Sequence, residues 1–525
     1  MQYGYLSLLP PLVAIVLAIA TRRVLLPLGL GVAVGAYLLT EPGAPWWSPL
    51  LGFGTAIYES IFATDHLQAF AFSLLLGAMV GVLEAGGAME ALVASLARRI
   101  KTRRGAQTMI AGSGLAIFFD DYANTLLVGG TMRSTADRYG ISRSKLAYLV
   151  DSTAAPVAGL SVISTWAATE VTYMADGLRS AGVTEPSAGF ELFLRSIPYR
   201  FYPCLALVMV FLVARSGRDF GPMKTAEQQR AGEPQPDLSA ESEATAEQQK
   251  WAWLPTIVPV LVCIAAVNIV LVVTGYREIG VKDPAVSWWR YVGLVIGNGQ
   301  SYLALIVGGA AGWISTLLGH RLVWRSPVNA LAKGSLQGAL QMLPALSILW
   351  LAWALSAQTG SEALDTGGYL ASMLSDSLDV RLLPTLVFLI AGMMAFSTGT
   401  SWGTMAILTP LSVTLALDMD AAASGIGDPA GAICLATCGS VLAGAIFGDH
   451  CSPISDTTVL SSRASGCDHV QHVRTQMPYA LVVAVVCVLV GCLPAAVGVA
   501  PWISLIAGSG ILWAILRWLS RDART

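Results

Sequence analysis

The sequence predicts an all-α polytopic membrane protein built from two inverted-topology repeats. Of its 525 residues, 55% are hydrophobic and only 12% are charged, and its mean hydropathy is +0.64. A typical soluble domain carries about 25% charged residues, whereas apolar runs of about 18 or more residues indicate transmembrane helices. Basic clusters separate these runs, and a polar stretch interrupts an apolar segment in each half of the chain.

The basic clusters predict the orientation of the chain, because loops rich in Lys and Arg stay in the cytoplasm. They lie at residues 22–23, 98–104, 133–145, 215–250, 321–333, 463–474 and 517–524. The loops between them are acidic or neutral. We therefore expect a multi-pass protein of the inner (plasma) membrane with its N-terminus outside and its C-terminus in the cytoplasm. The first apolar stretch has its basic pair after it, which indicates a retained helix and not a cleaved signal peptide.

The first repeat is expected to span residues 1–214, with a re-entrant hairpin at about 106–132 and a broken helix at about 146–175. Its crossings are predicted near 4–20, 24–40, 67–97, 146–175 and 197–214. Both ends of the segment 106–132 are basic, so the segment should enter and leave on the cytoplasmic side, buried within protein. A proline removes an amide donor and disrupts a helix, which predicts an unwound point at residues 151–156.

The second repeat is expected at 251–499, with a hairpin at about 384–417 that enters from outside and a broken helix at about 430–460, interrupted at 449–453. Its crossings are predicted near 252–274, 292–318, 336–357, 430–460 and 478–499. An odd number of crossings in the first repeat inverts the second, and such folds bind substrate near the midplane. Residues 215–250 are predicted to be a flexible cytoplasmic linker, and residues 500–525 an extra helix with a cytoplasmic tail.

The polar interruptions supply the candidate cation- and proton-binding residues. A carboxylate near the bilayer centre costs roughly 2.5 to 3.5 kcal/mol, so several of them mark an ion path or a proton site. Na+ is a hard cation that oxygen atoms bind. The candidate carboxylates are Asp120, Asp121, Asp151, Asp449 and Asp456. The candidate neutral oxygens are those of Asn124, Thr125, Ser152, Thr153, Thr398, Thr400, Ser401, Ser452, Ser455 and Thr457. Glu84 and His450 are candidates for a proton relay.

Each candidate also has a structural interpretation. Asp120 and Asp121 suit the tip of a hairpin, where carboxylates hold backbone amides, and Asp151 suits the cap of the second half-helix. Glu84 suits a packed acid paired with another helix. The His450–Cys451 pair lacks the further ligands of a zinc site, so we expect no metal beyond Na+. We expect no cofactor, because residues 105–114 lack the Lys-Ser/Thr end of a phosphate-binding loop.

Four segments resemble the signature of the NhaC-type Na+/H+ antiporter family: residues 119–126, 141–148, 150–158 and 448–458. The resemblance extends from about Phe70 to Tyr479. That family is placed in the ion transporter superfamily, whose members pair two hairpins with two broken helices in a mobile transport domain beside a scaffold. The resemblance implies an elevator-like motion, a homodimer and a lipid bilayer as the surroundings.

The leading hypothesis is exchange of cytoplasmic Na+, with Li+ as a second candidate, for external H+. The alternative is Na+- or H+-coupled transport of an organic acid or amino acid by the same fold. Residues 146–174 and 430–460 contain no Arg, which favours a cation over an anion as the substrate. An intramembrane aspartyl protease would not need two hairpins, so we expect no enzyme. Nothing in the charge pattern indicates a nucleic-acid surface.

The predicted topology is testable by cysteine labelling from either side of the membrane. Cysteines replacing Lys101 and Arg138 should both be labelled from the cytoplasm, because the apolar segment between them returns to the same side. Cysteines replacing Asp365 and Asp420 should both be labelled from outside. If the two cysteines of either pair were labelled from opposite sides, the predicted hairpin would be wrong, and the inverted repeat with it.

Overall fold

The computed structural model confirms an all-helical membrane protein. It describes residues 3–21, 23, 25–86, 100–118, 120–162, 164–185, 187–231, 253–281, 291, 295, 299–360, 362–366, 369, 372–373, 379–425, 427–453 and 455–520. All regular secondary structure in these residues is helical. Within this part of the chain, 10 helices are long and apolar enough to cross a membrane.

The helices of the first half include paired short helices and two long apolar ones. They are α1 (Leu9–Thr21), α2 (Leu25–Leu38), α3 (Ser48–Phe62), α4 (Thr64–Ala85), α5 (Arg103–Ala116), α6 (Asp121–Thr131), α7 (Arg133–Arg138), α8 (Arg143–Ala158), α9 (Thr165–Ser180), α10 (Ala188–Ser196), α11 (Phe201–Ser216) and α12 (Gly221–Ala231).

The second half contains a similar order of helices. They are α13 (Trp253–Ile279), α14 (Ser301–Leu322), α15 (Val328–Gln341), α16 (Leu343–Thr359), α17 (Leu383–Thr398), α18 (Ser401–Ser424), α19 (Ala432–Cys451), α20 (Asp456–Ser465), α21 (His469–Val486), α22 (Leu493–Ala496) and α23 (Pro501–Leu519). A π-helical turn, Cys487–Cys492, joins α21 to α22.

Both predicted hairpins form pairs of helices joined by short connections. In the first, α5 and α6 flank residues 117–120, so Asp120 and Asp121 lie at the turn as predicted. In the second, α17 and α18 flank Gly399 and Thr400, and Gly399 adopts a left-handed φ of 69° that allows the tight reversal. The course of each hairpin relative to the membrane stays a prediction.

Both predicted broken helices are also present, but the first break lies later than expected. Helix α8 continues through Pro156 to Ala158, and α9 begins at Thr165, so the break lies between these two residues. Pro156 lacks the amide that would donate to the Ser152 carbonyl, but this loss does not end the helix, which continues for two residues beyond the proline. The prediction of an unwound point at 151–156 was therefore wrong, and Asp151 is not a cap.

The second break occupies residues 452–455, between α19 and α20. Asp449 and His450 therefore belong to the last turn of α19, not to the unwound segment at 449–453. Three contacts fix this break. The Ser452 hydroxyl donates to the Phe396 carbonyl at 2.7 Å, the Asp456 amide donates to the Gly399 carbonyl at 3.3 Å, and the Ser455 side chain caps α20.

The two halves pack crosswise. Each hairpin packs along the first segment of its own broken helix, α5 and α6 on α8, and α17 and α18 on α19. The second segment of each broken helix packs instead on the hairpin of the other half, α20 on α6 and α9 on α18. The polar turns of both hairpins are thereby brought towards both breaks, which places the candidate residues of the two halves in one region.

The helices outside this region differ from the predicted crossings in several places. The sequence did not predict α3 or α10, and the crossing expected at 336–357 is two helices, α15 and α16, that meet at Met342. Residues 221–231 of the predicted linker form α12, which packs on α8 and α21. Residues 232–250 lie outside the described part of the chain.

The side chain of Asn124 holds the two helices of the first hairpin together. Its side-chain amide donates to the carbonyls of Gly114 at 2.6 Å and Ile117 at 2.9 Å, and approaches the Thr153 carbonyl at 3.4 Å. Asn124→Asp would replace this donor with an acceptor. Each buried carbonyl left unsatisfied costs about 1–3 kcal/mol, and a buried charge adds to the loss. We expect a clearly lower thermal unfolding midpoint in detergent.

The matched control is Asn329→Asp, because Asn329 is exposed and its side-chain oxygen already accepts from the Ala330 amide. This variant should unfold at the wild-type temperature. Equal midpoints for Asn124→Asp and wild type would show that Asn124 does not hold the hairpin together.

Candidate cation site

Four aspartates form a carboxylate cluster between the two hairpins and the two broken helices: Asp121, Asp151, Asp449 and Asp456. The first three are at most 1% exposed. Asp456 lies within electrostatic range of both Asp121 and Asp449, and Asp449 lies within range of Asp151. The structure therefore gathers carboxylates that are hundreds of residues apart in the sequence.

Asp121 is the first residue of α6 and is fully buried. Neither of its carboxylate oxygens has a hydrogen-bond partner among the described residues. The buried hydroxyl of Thr125, one turn further along α6, also lacks a partner in this part of the chain. A helix N-terminus carries partial positive charge and favours a carboxylate, so this position suits an ionised group that keeps its oxygens free for a ligand.

Asp120 is directed to the second broken segment of its own half. It is 2% exposed and accepts a hydrogen bond of 3.0 Å from the hydroxyl of Thr165, the first residue of α9. The next residue, Trp166, packs with its ring 5.4 Å from that of Trp402, close to the start of α18. Asp120 therefore holds the N-terminus of α9 against the hairpin turn, which is a positioning role.

Asp449 contacts the other hairpin turn. One carboxylate oxygen accepts from the Ser401 amide at 3.1 Å and from the Ser401 hydroxyl at 2.5 Å. Ser401 is the first residue of α18, so this carboxylate also lies at a helix N-terminus. The second oxygen has no hydrogen-bond partner within the described residues.

Asp151 is the most extensively hydrogen-bonded member of the cluster. One of its oxygens accepts from the Gln476 side chain at 2.5 Å and from the Thr458 hydroxyl at 3.2 Å, and lies 3.5 Å from His472 Nε2. The Thr458 hydroxyl also lies 3.1 Å from the Asp449 carbonyl. The other carboxylate oxygen of Asp151 has no partner among the residues described.

Asp456 differs from the other members because it is exposed. It is the first residue of α20 and accepts a hydrogen bond of 2.5 Å from the Tyr122 hydroxyl. Its other oxygen accepts from the Thr457 amide at 2.8 Å. Tyr122 follows Asp121 directly, so this contact joins the first hairpin turn to the second break.

The predicted neutral ligands have different surroundings. The hydroxyls of Thr153, Thr398 and Ser452 donate to backbone carbonyls, and those of Ser455 and Thr457 lie 3.0 Å apart. Ser152 is buried, and Thr400 caps α18 without a side-chain hydrogen bond to the helix. The Thr153 and Thr398 hydroxyls therefore bond within their own helices, whereas Ser452 and Ser455 support the second break.

Of the two residues predicted to form a proton relay, the structure describes the side chain of His450 but not that of Glu84. His450 is 1% exposed, and its Nδ1 lies 3.0 Å from the Tyr202 hydroxyl, while its Nε2 has no partner in the described part of the chain. His450 therefore lies next to the cluster. The side chain of Glu84 lies outside what the structure describes.

Sequence reasoning missed a buried ion pair beside the first break. Arg200, at 0% exposure, lies 2.7 Å from the Glu170 carboxylate and donates to the Gly159 carbonyl at the end of α8. Arg200 lies between residues 146–174 and 430–460, the two ranges that contain no arginine. Gln476 and Tyr202 were also missed, because no motif surrounds them and only the fold brings them to the cluster. Thr458 ends the motif segment 448–458 but was not among the candidate ligands.

The unpartnered donors of the cluster in the described part of the chain are carboxylate and hydroxyl oxygens of Asp121, Thr125, Asp151 and Asp449. Oxygen donors suit a hard cation, whereas transition metals are usually bound by His and Cys. A cation here would be bound by one or two carboxylates together with hydroxyl and carbonyl oxygens, which is the chemistry of Na+.

Comparisons with known proteins agree with this architecture. The sequence profile of the Na+/H+ antiporter family matches residues 157–493. A Haemophilus influenzae protein described as uncharacterized is 33% identical over 481 residues, which cover 91% of this chain and 88% of that protein. The malate-2H(+)/Na(+)-lactate antiporter of Bacillus subtilis is 40% identical over 98 residues, 19% of this chain and 18% of that protein.

Among solved structures, the YdaH transporter of Alcanivorax borkumensis has a similar fold, with a TM-score of 0.58 over 97% of this chain and 100% of that one. At 14% sequence identity this likeness shows the fold alone. The matched profile covers more than half of the 525 residues, which confirms the resemblance found in the sequence motifs. The chain belongs to the Na+/H+ antiporter family.

Proposed function

We propose that this protein exchanges Na+ for H+ at the carboxylate cluster. One observation carries the proposal: Asp121, Asp151 and Asp449 are almost completely buried, yet each keeps at least one oxygen without a hydrogen-bond partner among the described residues. An isolated ionised carboxylate is very unfavourable in a medium of low polarity. Such oxygens require either a bound cation or a proton, and both ions can bind the same atoms.

Competition for these oxygens would couple the two fluxes. Ser401 holds one oxygen of Asp449 and leaves the other free, while both oxygens of Asp121 are free of partners in the described part of the chain. A Na+ ion at these oxygens neutralises the charge that a proton would otherwise neutralise. Moving the empty, charged cluster through the membrane would be costly, so the cluster changes access only when it is occupied. Exchange follows without ATP.

Asp151 would contribute charge and position. Its Oδ2 is occupied by Gln476 and Thr458 and lies near His472. The Thr458 hydroxyl also contacts the Asp449 carbonyl. Protonation of Asp151 would therefore alter the hydrogen bonding of Thr458 and, through it, the position of Asp449. His450 lies in the same network, because the Gln476 side chain donates to its backbone carbonyl at 3.0 Å.

Transport of an organic acid coupled to Na+ or H+ is the second candidate. A Bacillus subtilis relative over 19% of this chain carries the name malate-2H(+)/Na(+)-lactate antiporter. An anionic substrate would use half-helix N-termini or an arginine. The N-termini of α6 and α18 already face Asp121 and Asp449, and the buried guanidinium of Arg200 already pairs with Glu170 and the Gly159 carbonyl. This engagement favours the cation-only exchange.

Proteoliposomes with an internal pH dye separate the two candidates. Na+ or Li+ added outside should drive proton release from the vesicles, and K+ should not. Malate, lactate and amino acids without Na+ should have no effect. A response to malate with none to NaCl would overturn the exchange of Na+ for H+.

Asp121→Asn, Asp151→Asn and Asp449→Asn should each fold and insert but lose Na+-dependent proton release. Asn retains an acceptor oxygen for the contacts of Ser401 and Gln476 but loses the negative charge that a cation requires. Asp120→Asn should retain part of the activity, because an amide oxygen can still accept from Thr165. The measurement is the initial rate in the proteoliposome assay, relative to protein-free liposomes.

Glu191→Gln is the matched control, since Glu191 is an exposed carboxylate that pairs with Arg195 on the same helix. It should exchange at the wild-type rate. Wild-type rate and Na+ affinity in both Asp151→Asn and Asp449→Asn would assign these carboxylates a structural role. Asp456 and Glu84 would then be the next residues to replace.

Competition also predicts a pH dependence. Protons occupy the carboxylate oxygens more often as the pH falls, so the apparent KM for Na+ should rise with acidification while saturating Na+ restores the rate. An apparent KM that stays constant across the same pH range would show that Na+ and H+ bind at different places.

A further inference from the structure

A basic cavity lies where α5, α11 and α23 meet, away from the carboxylate cluster. Arginines from all three regions line it: Arg104 of α5, Arg215 and Arg218 at the end of α11, and Arg517 in the last turn of α23. Its volume is about 540 Å³. An adjoining cavity shares Arg104 and Arg215 and adds Lys101.

The positive charges of the basic cavity are not neutralised by the described residues. Within the described part of the chain, none of Arg104, Arg215, Arg218 and Arg517 forms an ion pair with a carboxylate. The nearby acids are engaged elsewhere. Asp219 pairs with Lys145 and accepts from Tyr479, and Glu227 binds Arg103 and the Ser142 amide.

Along α11 and α23, which line the basic cavity, apolar side chains are followed by arginines at the helix end. Phe211 and Leu212 precede Arg215 by about one helical turn on α11, and Trp513 precedes Arg517 by one turn on α23, so each apolar residue shares a face with an arginine. The Arg517 guanidinium lies 4.4 Å from the Trp513 ring centroid. Tryptophan near a helix end is typical of the level of lipid headgroups.

We propose that the basic cavity binds the phosphate of an anionic phospholipid of the cytoplasmic leaflet. Guanidinium groups bind phosphate oxygens through paired hydrogen bonds, and basic pockets between transmembrane helices are sites for anionic headgroups. The acyl chains lie against the Phe211 and Leu212 side chains. A soluble anion would use the arginines but not this apolar wall.

The bound lipid would connect helices that the chain joins only distantly. Arg104 stands in the first turn of α5, the helix that leads to the turn with Asp121, whereas Arg517 belongs to the C-terminal helix α23. A phosphate shared between these arginines holds the start of the first hairpin against α11 and α23. The C-terminal helix thereby acquires a role in positioning that hairpin.

The experiment uses the full chain in a neutral detergent and measures the thermal unfolding midpoint with phosphatidylglycerol, phosphatidylcholine or inorganic phosphate. Phosphatidylglycerol should raise the midpoint of the wild type, and the other two additions should not. The increase should disappear in R215Q/R218Q/R517Q. It should persist in the matched control R321Q/K333Q, whose basic residues lie on another segment outside the cavity.

A second measurement does not depend on the folding of the triple variant. Brominated phospholipids quench tryptophan on contact, and the difference between wild type and Trp513→Phe isolates the signal of Trp513. Brominated phosphatidylglycerol should quench that signal more strongly than brominated phosphatidylcholine.

Three results would overturn the proposal: equal stabilisation by both lipids, a full response to phosphatidylglycerol in R215Q/R218Q/R517Q, or the same shift from inorganic phosphate alone. The last result would assign the arginines to a soluble anion. Neither measurement requires transport, so its outcome is independent of the proposed exchange.

Discussion

The rest of this structure depends on half-helix N-termini that face carboxylates, most of them buried. Asp121 and Asp456 begin α6 and α20, Asp449 accepts from the first residue of α18, and Asp120 accepts from the first residue of α9. A helix N-terminus acts as roughly half a positive charge. Continuous helices would expose these amides only at the membrane surface, so a buried carboxylate cluster requires helices that end within the protein.

The side chains that hold the breaks therefore also fix the cluster. Arg200 and Ser164 bind the carbonyls of Gly159 and Ala158 at the end of α8, where irregular backbone would otherwise leave unsatisfied groups in an apolar interior. Arg133 plays the same part at the far end of α20, where it donates to the carbonyls of Arg463 and Ala464. The ends of α8 and α20 cannot move far without losing these bonds. Because these helices carry Asp151 and Asp456, the same bonds limit the distances between the carboxylates.

The sequence predicted the parts of this arrangement that depend on local chemistry. Acidic residues inside apolar runs located Asp121 and Asp449, and the flanking charges located both hairpins. The exact break after α8 was not predictable from Pro156, because long-range partners such as Arg200 decide where the chain unwinds. Thr458 and Gln476 were missed for the same reason, since each contacts Asp151 across more than 300 residues. The amide of Asn124 looked like a cation ligand but is used to fasten the hairpin.

The exposure of Asp456 gives the proposed exchange a route by which ions would reach the buried members of the cluster. Asp121 and Asp449 are enclosed, whereas Asp456 is exposed and bonded to Tyr122, directly beside Asp121. Helices α6 and α20 run from this point to the basic segments 133–145 and 463–474, which the charge distribution assigns to the cytoplasm. Under the proposed exchange, an ion arriving from that side would meet Asp456 first and would have to displace the Tyr122 contact before it reached Asp121. The exposed carboxylate would then be the entry point of an access path that ends at the two oxygens of Asp121.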